Sequence, residues 1–208
     1  MRVSRVPSGP IVAFALVSLL APSSASAQAA PFGLRFGMTA ATLRKSVTLY
    51  GAATAPFYFT SDSAPKPNAE FTEYLYVITP KYGLCSVMAT SDPVATDAGG
   101  EVLRRRFDEL ASALRAKYGK GVLTDELEDG SIWTDPGDWM EGLYHKERTL
   151  EMRWSDTLPG ARLPAGLHTI ILFAKATSVS DGSVGLVYAS SSVDSCMAEA
   201  DSARNASL

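Results

Sequence analysis

Between Glu101 and Tyr118 the apolar positions Leu103, Phe107, Leu110, Leu114 and Tyr118 recur at spacings of four and three, with charged residues between them. That period predicts an amphipathic helix, and Gly119 stands where a helix stop belongs. Much of the remaining chain alternates instead. Residues 70–79 and 82–90 are two β-rich runs separated by Pro80-Lys81, which predicts an antiparallel hairpin. Phe71, Leu75 and Val77 face one way, and Tyr74, Tyr76 and Ile78 the other. Both faces are apolar, which places the hairpin in the middle of a sheet. Leu150, Met152 and Trp154 alternate with Glu151, Arg153 and Ser155, the pattern of a strand with one wet face. Further strands are expected near 139–145, 167–177 and 183–190. The turn signals are Asp129-Gly130, Asp135-Pro-Gly-Asp138, Lys146-Glu-Arg148 and Ser180-Asp-Gly-Ser183.

Shorter signals complete the outline. Thr39 is a good N-cap for a helix over 39–48, with Met38 and Leu43 placed to staple across it. Residues 52–69, rich in Ala, Pro and Ser, read as an exposed mobile loop. A closing helix carries Val193, Cys196, Met197 and Ala200 on one face, with Ser191 and Asp194 spaced as a capping box. Blocks of strands broken by helices, without a βαβα alternation, predict an α+β class: an antiparallel sheet with helices packed on one face. Leu49-Tyr50-Gly51 and Lys117-Tyr118-Gly119 each precede strands, a faint repeat that leaves two related halves or coincidence open.

The first residues belong to a different logic. Arg2 and Arg5 precede an uncharged run from Ile11 to Ala21, and Ala25 and Ala27 form an A-x-A site. This is the pattern of a signal peptide over 1–27. The apolar run is too short for the roughly 20 helical residues that span a bilayer. The mature chain, 28–208, is then expected in the periplasm or secreted. Its length suits one domain with a real core. Loss of Arg2 and Arg5 takes the formal charge of −3 to about −5 with no long basic run, which argues against nucleic acid and anionic membranes as partners.

Two cysteines, Cys85 and Cys196, are expected to pair in an exported chain. The bridge would pin the closing helix to the sheet and close a loop of about 110 residues, which the chain-entropy view values at roughly 4–5 kcal/mol.

The opening Phe32-Gly33-Leu34-x-x-Gly37-Met38-Thr39 resembles the start of small exported bacterial proteins of uncharacterised or envelope-related families, including those with the fold of β-lactamase inhibitor protein. The resemblance covers about ten residues and the order of helix then strands. It implies a helix on an antiparallel sheet, and since those families differ in function it implies little else.

Catalytic patterns are few. No G-x-S-x-G elbow occurs, and Ser63-Ala-Pro-Lys66 matches S-x-x-K where Pro65 and Pro67 forbid the helix that motif needs. His145 and His168 have no H-x-x-x-H partner, so no metal and no cofactor are expected. Both read as strand-edge residues, with His145 beside Asp135 and Asp138 the remaining candidate for general-base chemistry. Arg104 and Arg105 are each followed one turn later by a carboxylate, Asp108 and Glu109, which predicts a salt-bridged helix face.

The most unusual segment runs from Asp125 to Glu141. It holds Asp125, Glu126, Glu128, Asp129, Asp135, Asp138 and Glu141 with no basic residue. With Trp133 and Trp139 it reads either as an acidic, aromatic-bearing surface for a basic partner or calcium, or as solvated turns. The carboxylate spacing does not match a calcium loop. Together these features predict a non-catalytic periplasmic binding or interaction protein with a protein or small-molecule partner. The alternative is a small envelope hydrolase assembled from distant loops.

Overall fold

The computed structural model describes residues 30–52 and 55–206; the signal-peptide segment, 1–27, lies outside the described residues. The elements are α1 (Ala40–Leu43), β1 (Tyr50–Ala52), β2 (Ala55–Ser61), β3 (Glu73–Thr79), β4 (Gly83–Thr90), β5 (Val94–Ala95), α2 (Glu101–Tyr118), β6 (Val122–Leu127), α3 (Trp139–Tyr144), β7 (Arg148–Ser155), β8 (Leu167–Ala176), β9 (Asp181–Ser190) and α4 (Val193–Asn205). The strands form a single antiparallel sheet in the order β1-β2-β3-β4-β9-β8-β7-β6, with β5 paired to β9 beside this path. The α+β antiparallel architecture expected from the sequence is the fold.

The topology repeats. α1 leads into the meander β1 to β4, α2 leads into the meander β6 to β9, and the two meanders join through their last strands. The two halves share this strand order, although α3 interrupts only the second meander. The Tyr-Gly pairs do not mark equivalent places. Tyr50-Gly51 lies inside β1 with Tyr50 53% exposed, whereas Tyr118 ends α2 and is buried.

One face of the sheet carries the core. Tyr74, Tyr76, Val87, Leu186, Tyr188, Ile170, Leu172, Met152 and Trp154 point into it. α2 covers them with Leu103, Phe107, Ala111, Leu114 and Tyr118, each large apolar side chain contributing roughly 1.5–3 kcal/mol by burial. The helix matches its predicted ends, and Trp154 Nε1 donates to Gly119 O at 2.9 Å just beyond its C-terminus.

α4 lies on the opposite face. Cys196, Val77 and Cys85 form a separate small cluster with Tyr58, Tyr82 and Met197. The reason is visible in β4. The register with β3 passes from Val77↔Ser86 to Ile78↔Leu84, so Cys85 is the extra residue of a bulge, and a bulge re-aims a side chain. Cys85 Sγ is bonded to Cys196 Sγ at 2.03 Å, and both residues are fully buried. The helices α1 to α3 share one face as expected; α4 is the exception, held across the sheet by the predicted bridge.

Local expectations fail in four places. Residues 139–144 are helical: Pro136 occupies the first turn of a 3-10 segment leading into α3, and Trp139, Met140 and Leu143 share the buried side. Consequently Asp129-Gly130 is a turn, with Gly130 at φ +86°, but not a hairpin, and β6 meets β7 through a connection that contains α3. Residues 55–61, placed in the 52–69 loop, form β2, since the aromatic run Phe57-Tyr58-Phe59 suits a pleated surface better than its Pro and Ala neighbours suggest. The helix after Thr39 is one turn rather than ten residues, although Thr39 caps it as expected, accepting from Thr42 N at 3.2 Å. At the other terminus the capping box does not form, and α4 starts after Ser192 with no side-chain cap. No helix among the described residues is long and apolar enough to cross a membrane.

Because α4 buries little besides Cys196 and Ala200, the disulfide dominates its attachment. Reduction, or Cys196→Ala, should lower the unfolding free energy by about 2–5 kcal/mol in urea titration. Amide exchange should rise first over 193–205 while β4 and β9 remain protected. Uniform exchange across the sheet would contradict this. A second expectation concerns alkali. Burial holds the Tyr76 and Tyr188 hydroxyls well above the usual tyrosine range. A raised folded-state pKa gives stability that is present below the unfolded value of about 10 and is lost as pH rises beyond it. Circular dichroism should therefore show unfolding setting in above about pH 10.

Candidate functional site

The outer face of the sheet is open where α4 stops. α4 packs on β2, β3 and β4, and among the described residues no helix covers the outer face of β9, β8 and β7. Here the register builds a row. Leu75 pairs with Met88, Met88 with Val187, and Val187 with Ile171, so four apolar side chains cross β3, β4, β9 and β8 at one level. All four are half-buried. The row continues to Arg153 on β7 and the 52%-exposed Val122 on β6.

One level along, Phe173 pairs with Gly185, and a Cβ at Gly185 would sit 2.1 Å from the ring's Cζ. The missing side chain is what lets the ring lie flat across β9. Ser86, Ala189, Thr169 and Ser155 make the small and polar level on the other side. Charges border the apolar row: Lys175 is exposed, and Arg153 Nη2 meets Glu151 Oε1 at 2.8 Å. Alternation alone foretold one wet face for β7. The continuous apolar row was invisible in the sequence, because it is made by register between four strands.

The acidic segment is assembled around α3. Trp139, expected on the surface, is instead buried, with the guanidinium carbons of Arg104 and Arg148 5.5 and 5.9 Å from its ring centroid. It packs against Gly100, at φ +71°, where a Cβ would come within 2.4 Å of the indole ring. Arg148 Nη1 also bonds Asp125 Oδ1 at 2.7 Å, so that carboxylate is paired. Trp139 Nε1 and Arg148 Nε have no hydrogen-bond partner among the described residues.

Trp133 does reach the surface. Its ring stacks on His145 with centroids 5.2 Å apart and planes 5° from parallel, and Tyr144 meets His145 edge-on at 5.4 Å. Glu126, Glu128, Asp129 and Asp135 are exposed and Asp138 is half-buried.

The proposed general-base pairing is not made. His145 Nε2 lies 3.5 Å from Glu141 Oε2, one turn back on α3, and no contact joins it to Asp135 or Asp138 among the described residues. The closer histidine–carboxylate contact is His168 Nδ1 to Asp156 Oδ1, at 2.9 Å. His168 is the extra residue where the β8–β9 register slips between Leu167 and Thr169. Ser155 Oγ beside it is engaged with Asp156 and Thr157. No group of three or more His, Cys, Asp or Glu is placed to hold a metal ion among the described residues.

The arginines of α2 also differ from expectation. Arg106 pairs with Glu70, and no ion pair joins Arg104 to Asp108 or Arg105 to Glu109 among the described residues. Arg104 lies instead over the Trp139 ring, and Arg105 is exposed.

Comparison with protein families, with curated proteins and with solved structures finds no match for this chain.

The two tryptophans of the acidic segment should separate on mutation. Trp139→Ala removes a buried ring and should cost about 3–5 kcal/mol, whereas Trp133→Ala should change the urea-derived stability by under about 1 kcal/mol. Equal losses would contradict the division into one core and one surface indole.

Proposed function

We propose that the mature chain is an exported, non-catalytic interaction protein of the periplasm or extracellular space that docks a protein partner through the outer face of its sheet. The observation that carries this reading is the row Leu75, Met88, Val187 and Ile171, extended by Phe173, on a face that α4 covers at only one end. The row is half-buried rather than fully exposed, and a contiguous, partly exposed apolar strip with a charged border is the kind of surface that marks a contact site. Small ligands are held in concave sites, and an extended sheet face suits a protein better. The partner fits if it presents an apolar protrusion flanked by charges complementary to Lys175, Arg153 and Glu151. The export pattern at 1–27 and the Cys85–Cys196 bridge support an oxidising compartment.

A second reading, a small hydrolase, has one observation in its favour. Asp156 on Nδ1 orients His168 as a base is oriented. Hydrolysis of a panel of small esters and amides that disappears in His168→Ala would support it over docking.

The docking reading is tested with a photoreactive residue placed at Ile171 in the exporting cell, and at the exposed Arg105 on α2 as control. A discrete cross-linked product should form from position 171, be absent from 105, and be lost when Val187→Glu is added. Equal cross-linking from both positions, or persistence with Val187→Glu in a folded protein, would defeat the proposal.

A further inference from the structure

A second surface, at the opposite end of the sheet from β1, has its own chemistry. The loop from β6 to α3 lays Trp133 against α3 at Gly142, whose added Cβ would lie 3.6 Å from Trp133 Cβ and 3.3 Å from Leu127 Cδ1. This contact holds the half-buried indole flat on His145. Ile132 beside it is 75% exposed and Tyr144 46% exposed. Trp133 and Tyr144 thus meet on His145 at one corner, with the exposed Ile132 next to Trp133 in the chain.

The charge around this corner is one-sided. From Asp125 to Glu147 the chain carries eight carboxylates and a single lysine, Lys146. Asp125 is neutralised by Arg148, and Glu141 faces His145. The carboxylates of Glu128, Asp129 and Asp135 are exposed and enter no ion pair among the described residues.

We infer that this corner docks a lysine- or arginine-rich segment of a partner protein. The exposed apolar group makes it a contact surface, and the charge selects the occupant. A cationic side chain is attracted to an indole or phenol face, and its long methylene stem covers Ile132. Glu128, Asp129 and Asp135 meet the flanking positive charges and speed encounter. Trp133 is the anchor, in keeping with the prominence of tryptophan among residues that dominate interfaces. The inference is independent of the outer sheet face, since none of these residues lies on it.

The probe is a lysine octapeptide, with its fully acetylated form as the uncharged control, titrated into the mature chain and followed by fluorescence anisotropy at low and moderate salt. Wild type should bind the lysine peptide at least about tenfold more tightly than the acetylated one, with affinity falling as salt rises. Trp133→Ala should weaken binding about tenfold while Trp133→Phe largely preserves it, as expected for an aromatic anchor. The triple variant Glu128→Gln, Asp129→Asn, Asp135→Asn should abolish it. Ile171→Glu, which disables the outer face, should leave it unchanged. Three results would overturn the inference: no preference for the charged peptide, full binding by Trp133→Ala, or an equal loss when Asp108 and Glu109 on α2 are neutralised instead.

Discussion

The pairing of β4 with β9 is the contact on which the rest of this structure depends. Each half is a helix and a four-stranded meander, and a single such unit would leave a long unpaired edge and too little cover for its apolar face. Joined at the seam, Val87 sits opposite Tyr188 and Ala89 opposite Leu186, so the inner faces become one core. The N-terminal segment fastens the seam from above. Phe32 packs edge-on against Phe71, Tyr74 and Tyr188 at 5.3–5.9 Å, touching β3 in the first half and β9 in the second.

The same seam makes the two faces unequal. α1, α2 and α3 lie over the inner face, and among the described residues the outer face receives only α4, which a bulge and a disulfide hold over β2, β3 and β4. A continuous sheet with one face closed and the other partly open presents its cross-strand rows to solvent. The proposed docking surface is therefore a consequence of how the halves join. The acidic corner arises differently, from α3 interrupting the second meander between β6 and β7 and burying Trp139 while leaving Trp133 outside.

The aromatic content of segment 125–141 did not distinguish its two tryptophans, because what decides between them is contact with Gly100 and two arginines that are distant in sequence. Likewise, His145 and Asp135 or Asp138 looked close along the chain, yet α3 turned His145 toward Glu141 and Trp133. His168 found its carboxylate, Asp156, by strand pairing across a β7–β8 connection that no local pattern joins.

By itself the sequence determined the elements whose signals are local and long: α2 with both its ends, the β3–β4 hairpin, the alternating β7, and β8 and β9. It also determined the cysteine pair, since only two cysteines are present. Periodicity is a one-dimensional signal, and hydrophobic burial obeys it. Only the tertiary structure decided that β4 meets β9, that α4 crosses to the outer face, that 139–144 coils into a helix, and that four apolar residues from four strands fall into one row. Those outcomes follow from register and long-range packing, whose free energy resides between segments and leaves no repeating mark within any one of them.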